Sequence, residues 1–244
     1  SLFTLAGMSA AFSLEKRTVG SFVRERFGKL FLPLVSGILL VVPVQTYFAE
    51  RFHNGYSGGY FAQYALSFGK IGDLTGYSGG FTPGQLWFVL FLFVISLATL
   101  PLVVFAKKRE ASGRPFAAAA ALQALPFPAI LAAGFLAILF KPLLSIGGKS
   151  IVEYAWYYLL GFFVLSSQKN LDAVHARFKA LAVLAFTSTA VYAAGLFVPP
   201  GTGGRVLEVF GWVVYQCYAW FFILFLIAAF KKFADASTPV TAYF

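Results

Sequence analysis

Between Gln85 and Ala106 the chain reads QLWFVLFLFVISLATLPLVVFA, with no charged side chain anywhere in it. About 20 such residues in a helix cross the hydrocarbon core of a bilayer. Further apolar runs extend over Leu30 to Ala49, Phe116 to Phe140, Ile151 to Ser167, Ala180 to Val198 and Val206 to Phe230. The run from Ile151 is short and has Glu153 near its start, so its crossing must draw on flanking residues. Ser1 to Leu14 is apolar but too short to span alone, and reads as the end of a helix whose beginning is cut off. Lipid cannot satisfy backbone amides, so helices are the natural spanning element for runs of this kind. The expected fold is therefore all-α, a polytopic transmembrane helix bundle of about seven segments. Charged residues make up 11% of the chain, against about a quarter in soluble domains, too few to cover a water-facing surface.

Basic residues orient these segments. Lys16, Arg17, Arg24, Arg26 and Lys29 fall in one loop, and Lys107, Lys108, Arg109 and Arg114 in another. Lys169, Arg177 and Lys179, then Lys231 and Lys232, follow on the same side. Only Arg51, Lys70, Lys141, Lys149 and Arg205 remain for the opposite side. The positive-inside rule places the richer set in the cytoplasm. The net charge of +10 thus lies in short clusters suited to anionic lipid, and no nucleic-acid partner is expected. A single cysteine, Cys217, excludes an intrachain disulfide, no zinc spacing is present, and no metal is expected. No signal-peptide pattern is visible. The chain reads as integral to a cell membrane, crossing it several times.

The long outer loop, Glu50 to Gly84, carries GYSGGY at Gly55 and GYSGGF at Gly76. Glycine permits the positive φ of tight turns, and Pro83 suits the first turn of the next span. Between the copies, Tyr60, Tyr64 and Phe68 recur at four-residue steps, the spacing of a short interfacial helix. Their rings fit either an interfacial aromatic belt or a stacking platform for a sugar. Gly7 and Ala11, four apart, permit close helix packing. Pro33, Pro43, Pro101, Pro126 and Pro128 lie within or at the ends of spans and can kink them.

Few groups with obvious chemistry lie deep in the spans. Glu153 and Glu208 fall near ends, which counts against an ion-driven carrier with a buried relay. Gln45, Gln123 and Gln216 are the notable intramembrane polar groups, and such residues commonly bond across helices. His53 and His175 are expected as solvated loop residues without an Asp or Ser partner. No GxSxG elbow, P-loop or HExxH motif is present. The densest polar segment runs from Glu15 to Leu34. Its charge fits an ordinary cytoplasmic loop. Yet Arg24, Arg26 and Lys29 lie within one and a half helical turns and lead straight into a span, where they would clamp a phosphorylated cofactor.

The stretch FVRERFGKLFLPLVSGILLVVPVQTYF resembles the membrane acyltransferase 3 family, in the pattern F-x-x-x-R-x-x-R-L-x-x-P followed by a span ending P-x-Q-x-Y. Arg26, Lys29, Pro33, Pro43, Gln45 and Tyr47 occupy those positions. FTPGQLWFVLFLF is similar to the family's P-G-H-L-W-F-L segment, and FTLAGMSAAFSL to its second helix. The resemblance runs from near Ser1 to about Phe93 and is closest to the glucan-succinylating branch. Lys29 stands where the family has a second arginine, and Gln85 where a histidine often precedes Leu-Trp-Phe.

The resemblance implies a bundle of about ten helices, of which residues 1–244 would be a single transmembrane acyltransferase domain truncated at both ends. It implies O-acyl transfer of acetyl or succinyl from cytosolic acyl-CoA, as co-substrate, to a carbohydrate hydroxyl. No resident cofactor is implied. Arg24, Arg26 and Lys29 would bind the donor, while Gln45, Tyr47, Gln85 and Trp87 would face the acceptor, a glycan or lipid-linked sugar. The family's catalytic histidine would precede Ser1, which leaves the catalytic group unassigned here. The bacterial inner membrane is the location implied. A carrier or flippase for a lipid-linked sugar, or a non-catalytic membrane scaffold, would use the same helices.

Overall fold

Apolar patterning becomes helix along most of the chain in a computed structural model, which describes residues 2–70, 74–76, 80–113, 117–198 and 204–233. Ser1, Arg114, Phe116 and the middle of the second GYSGG copy, residues 77–79, lie outside the described residues. The helices in chain order are α1 (Leu2–Lys16), α2 (Val19–Arg26), α3 (Leu32–Leu40), α4 (Val42–His53), α5 (Tyr60–Ser67), α6 (Trp87–Ala98) and α7 (Leu100–Ala111). Then come α8 (Ala117–Leu122), α9 (Phe127–Phe135), α10 (Ala137–Phe140), α11 (Ile151–Phe163), α12 (Gln168–Ala176), α13 (Phe178–Gly195) and α14 (Gly204–Phe233). A small hairpin, β1 (Ser145–Ile146) and β2 (Lys149–Ser150), precedes α11, and Gly147 and Gly148 take positive φ in its two-residue turn.

Among the described residues, three helices are long and apolar enough to cross a membrane: Val19–His53, Phe178–Gly195 and Gly204–Phe233. A fourth arises if α6 and α7, bent by 42°, count as one broken span. The expectation of seven spanning segments is corrected accordingly. The remaining apolar segments are helical, but α1 has 15 residues and α11 has 13, short of the roughly 20 a crossing needs. The run from Phe116 to Phe140 is divided because Pro126 and Pro128 cannot continue the α8 ladder and instead start α9. At the α6–α7 bend, Pro101 has no amide hydrogen to return to the preceding turn. There the Thr99 hydroxyl donates to the Ile95 carbonyl at 2.7 Å.

Contacts group the chain into two units. One comprises Ser1–Phe12, Ala106–Lys141 and Ala155–Phe244. Here α1 and α11 meet backbone to backbone. A Cβ on Gly7 would collide with the Tyr158 carbonyl, and one on Gly161 with the Thr4 carbonyl. Ala10 and Ala11 are buried in the same unit, which bears out the close packing expected at Gly7 and Ala11. Across α9 and α14, the Trp220 ring lies over Gly134, and its Nε1 donates to the Ile130 carbonyl at 3.2 Å. The Gln216 amide donates to the Gly134 carbonyl at 3.0 Å and to the Tyr157 hydroxyl, the cross-helix role expected of it. Asn170 closes the gap after α8: its amide donates to Leu122 and Val164 carbonyls, and its oxygen accepts from the Leu125 amide.

The other unit, Ser13–Phe105 and Pro142–Tyr154, is organised by the continuous helical stretch Val19–His53. Thr18 caps its start, accepting from the Ser21 amide at 3.3 Å. A π-helical turn, Phe27–Phe31, interrupts it. Pro33 explains the turn, since it cannot donate to the Lys29 carbonyl and its ring crowds that oxygen, so the ladder widens locally. The Leu32 amide accordingly reaches back to Phe27. Phe93 of α6 packs on Phe27 and Phe31, with ring centroids 5.1 and 5.3 Å away.

Replacing Gly161 with Leu is expected to lower thermal stability sharply, because the new atoms meet main chain that no rotamer change can move. The cost is at least about 1–3 kcal/mol. Gly211→Ala, in open space on α14, is expected to be neutral or stabilising by up to about 1 kcal/mol. Melting followed by size-exclusion fluorescence in detergent checks both; equal melting temperatures for wild type and Gly161→Leu would refute the close α1–α11 contact.

Candidate functional site

All seven residues singled out by sequence lie in the unit built on Val19–His53, four of them beside or within the apolar part of that helix and three near its basic end. At the basic end, helical geometry sorts the cations. Arg24 and Arg26 are two residues apart, about 200° around an α-helix, so they do not converge. Arg24 is exposed. The Arg26 guanidinium lies 4.6 Å from the centroid of the buried Phe22 ring, one turn back. Lys29, on the π turn, pairs with Glu25 at 2.5 Å, and Glu25 also pairs with Arg17. Two cations therefore share one carboxylate. Sequence reasoning missed the Arg17–Glu25–Lys29 link, although Glu25 and Lys29 stand at the favourable i, i+4 spacing.

At the other end of the helix, Gln45 acts as a clasp. Its Nε2 donates to the Thr75 carbonyl at 3.0 Å. Two glycines in the left-handed region, Gly76 (φ +76°) and Gly84 (φ +52°), close around it; a Cβ on Gly84 would stand 3.3 Å from Gln45 Oε1 and 3.2 Å from Val42. The Gly84 amide donates to the buried Thr82 hydroxyl at 3.1 Å. This explains the glycine of the second GYSGG copy at position 76: it permits the loop to lie against a glutamine on α4.

Tyr47 begins a line of aromatic rings. Its centroid is 5.6 Å from Tyr60, which is followed by Tyr64, Phe68 and Phe81 at 6.3, 5.2 and 5.2 Å. The four-residue spacing thus forms α5, as expected. Arg51 donates to the Tyr47 hydroxyl at 3.0 Å. Tyr56 of the first GYSGG copy folds over Gly58, where a Cβ would strike its ring, and its hydroxyl reaches the Gly59 carbonyl at 3.3 Å.

Gln85 is exposed on the 3-10 turn Gly84–Leu86. Trp87, the first residue of α6, is held between Tyr154 and Phe91, each with its ring centroid 5.5 Å away. The hairpin contributes Lys149, whose ammonium sits 4.9 Å from the Trp87 centroid. Gln45, Tyr47, Gln85 and Trp87 are thereby gathered around one loop, but Trp87 is packed rather than free to stack on a ligand. Nearby on the chain, Glu153 is buried and its amide donates to the Ser150 hydroxyl at 3.1 Å; its place beside a span end had given no sign of that burial. Of the two histidines, His53 closes α4 and His175 lies in the last turn of α12, so both belong to helices. Among the described residues, no cluster of His, Cys, Asp and Glu could hold a metal ion.

The family model described as the acyltransferase domain of the acyltransferase 3 family matches residues 2–243. No curated protein and no solved structure matches the chain.

Gln45→Ala is expected to release the segment from Thr75 to Leu86, raising its amide hydrogen exchange by about three- to tenfold, the worth of one hydrogen bond. Gly84→Ala forces a side chain into the left-handed region against Val42 and is expected to cost about 1–3 kcal/mol. Exchange measured by mass spectrometry distinguishes the cases: protection unchanged in Gln45→Ala would show that the glutamine does not hold the loop.

Proposed function

The chain belongs to the acyltransferase 3 family, and from that premise we propose that it is an integral membrane O-acyltransferase using cytosolic acyl-CoA to acylate a carbohydrate hydroxyl. The acyl group is acetyl or succinyl, in keeping with the likeness to the glucan-succinylating branch, and the membrane is a bacterial inner membrane. The observation that carries the reading is the helical stretch Val19–His53. It bears Arg24, Arg26 and Lys29 near one end and Gln45 and Tyr47 towards the other. From Lys29 to Gln45 the helix rises roughly 24 Å at about 1.5 Å per residue, most of the roughly 30 Å hydrocarbon thickness. One element thus carries a basic end and a polar, aromatic end.

In the proposed reaction the sugar hydroxyl oxygen attacks the thioester carbonyl. A C–O bond forms, the C–S bond breaks, and coenzyme A leaves as the thiolate. The hydroxyl proton passes to a base and finally to the thiolate sulfur, giving an ester and free coenzyme A. Arg26 and Lys29 hold the nucleotide phosphates, the former as a planar fork and the latter as a point charge. Glu25 orients Lys29 through their ion pair. The base that takes the proton is not assigned to a residue of this chain.

The double variant Arg26→Gln/Lys29→Gln is expected to weaken acyl-CoA binding by the full protein by about a hundredfold, or tenfold per lost charge-assisted bond. Titration calorimetry gives the affinity, and radiolabelled acyl-CoA incubated with membranes gives the transfer into glycan. Unchanged affinity in the double variant would overturn the donor site. Translocation of sugar with no label transfer would replace the enzyme by a carrier.

A further inference from the structure

The unit containing α12, α13 and α14 has its own concentration of positive charge. A cavity of about 480 Å3 opens where α12 passes into α13, and the end of α14 closes it. His175, Arg177, Phe178, Lys179 and Lys232 line it. The one carboxylate of α12, Asp172, pairs with Lys231 at 2.5 Å and accepts from Gln168. The Lys231 ammonium beside it holds its carboxyl below the ordinary aspartate range. Among the described residues, no ion pair joins Arg177, Lys179 or Lys232 to a carboxylate. Two of these cations rest on rings instead: Arg177 lies 5.0 Å from the Phe127 centroid and Lys232 lies 4.4 Å from that of Phe178. His175 keeps its Nδ1 buried without a hydrogen-bond partner.

The cavity sits at the ends of two candidate spans, Phe178–Gly195 and Gly204–Phe233, and so at head-group level. From it an aromatic strip runs along the seam of α13 and α14. Phe178 meets Phe233 and Phe225 at 5.8 and 5.5 Å, and Phe225 meets Phe186 at 5.4 Å. Phe186 and Phe233 are 59% and 68% exposed, so the strip is open to acyl chains. Charge that lacks carboxylate partners, next to an exposed apolar track, matches a molecule with a phosphate at one end and hydrocarbon at the other.

We propose that this notch is a binding site for an anionic phospholipid. Its phosphate lies among Arg177, Lys179 and Lys232, and one acyl chain follows the strip from Phe178 towards Phe186. Each cation at a membrane surface is worth about a fivefold gain in binding, so three give on the order of a hundredfold. The site is independent of the donor clamp at Arg26 and Lys29.

Native mass spectrometry of the full protein in detergent, with phosphatidylglycerol or phosphatidylcholine added, tests it. The wild type is expected to retain phosphatidylglycerol selectively. Arg177→Gln/Lys179→Gln/Lys232→Gln is expected to lose about a hundredfold in affinity, while Arg177→Lys/Lys179→Arg/Lys232→Arg retains it. If the neutral triple variant fails to fold, Lys179→Gln alone, at an exposed position, is expected to lose about fivefold. Equal retention of the two lipids, or undiminished retention by the neutral variants, would overturn the site. Displacement of the lipid by coenzyme A or inorganic phosphate at micromolar concentration would overturn the choice of lipid, since a soluble phosphate would then be the better ligand.

Discussion

A backbone amide that leaves its helix within hydrocarbon has no water to turn to, and the breaks in these helices are arranged around that constraint. After α8, Asn170 both donates to and accepts from the irregular backbone. Beneath Trp220, the Gln216 amide reaches the Gly134 carbonyl, which lies exposed to it because glycine carries no side chain. At the loop before α6, Gln45 holds the Thr75 carbonyl. In each case an uncharged amide does the repair. Such a group costs less to bury than a charge and can be left satisfied by one or two bonds.

The same constraint accounts for the character of the long helix. Pro33 leaves one carbonyl of the preceding turn without its usual donor, and the chain widens into a π turn rather than breaking. Because the helix continues, Lys29 stays on the same element as Gln45 and Tyr47. A break at that point would have uncoupled the basic end from the apolar span. The widening also gives Phe27 and Phe31 the spacing to meet Phe93 of α6, so the cost of the lost α-helical bond is offset by ring packing.

Much of this was legible in the sequence, and the rest was hidden for identifiable reasons. Helix appeared wherever apolar residues ran on, and the prolines marked the bends, because both signals are local. The small residues Gly7 and Ala11 announced a close approach, but their partner Gly161 stood within a run whose apolar character masked it. Fewer candidate spans stand among the described residues than the seven segments expected, because hydropathy registers the length of an apolar run and not the breaks in its helix; Pro126 and Pro128 divide one run that hydropathy joins. At the site, spacing grouped Arg24, Arg26 and Lys29 within one and a half turns, without showing that Arg24 and Arg26 point apart, and set α5 at its four-residue steps. It could not show that Trp87 is packed under Lys149, since that contact brings together residues 62 positions apart, nor that Gln45 is committed to a loop carbonyl.

Acidic residues are too scarce to neutralise the cations, with 9 Asp and Glu for 19 Lys and Arg. The structure deals with the surplus in two ways. Where a carboxylate is present, as at Glu25, it is shared between two cations. Elsewhere an aromatic face takes its place, under Arg26, Lys141, Lys149, Arg177 and Lys232. The two solutions differ in consequence. A carboxylate cancels the charge it pairs with, while a ring steadies the cation's position through its quadrupole and leaves the full charge available to a third party. Rings therefore suit places where an incoming anion must find positive charge already fixed in position, and carboxylates suit places where a cation is to be aimed. By that criterion the proposed donor site would take phosphate at Arg26, with Glu25 aiming Lys29 beside it.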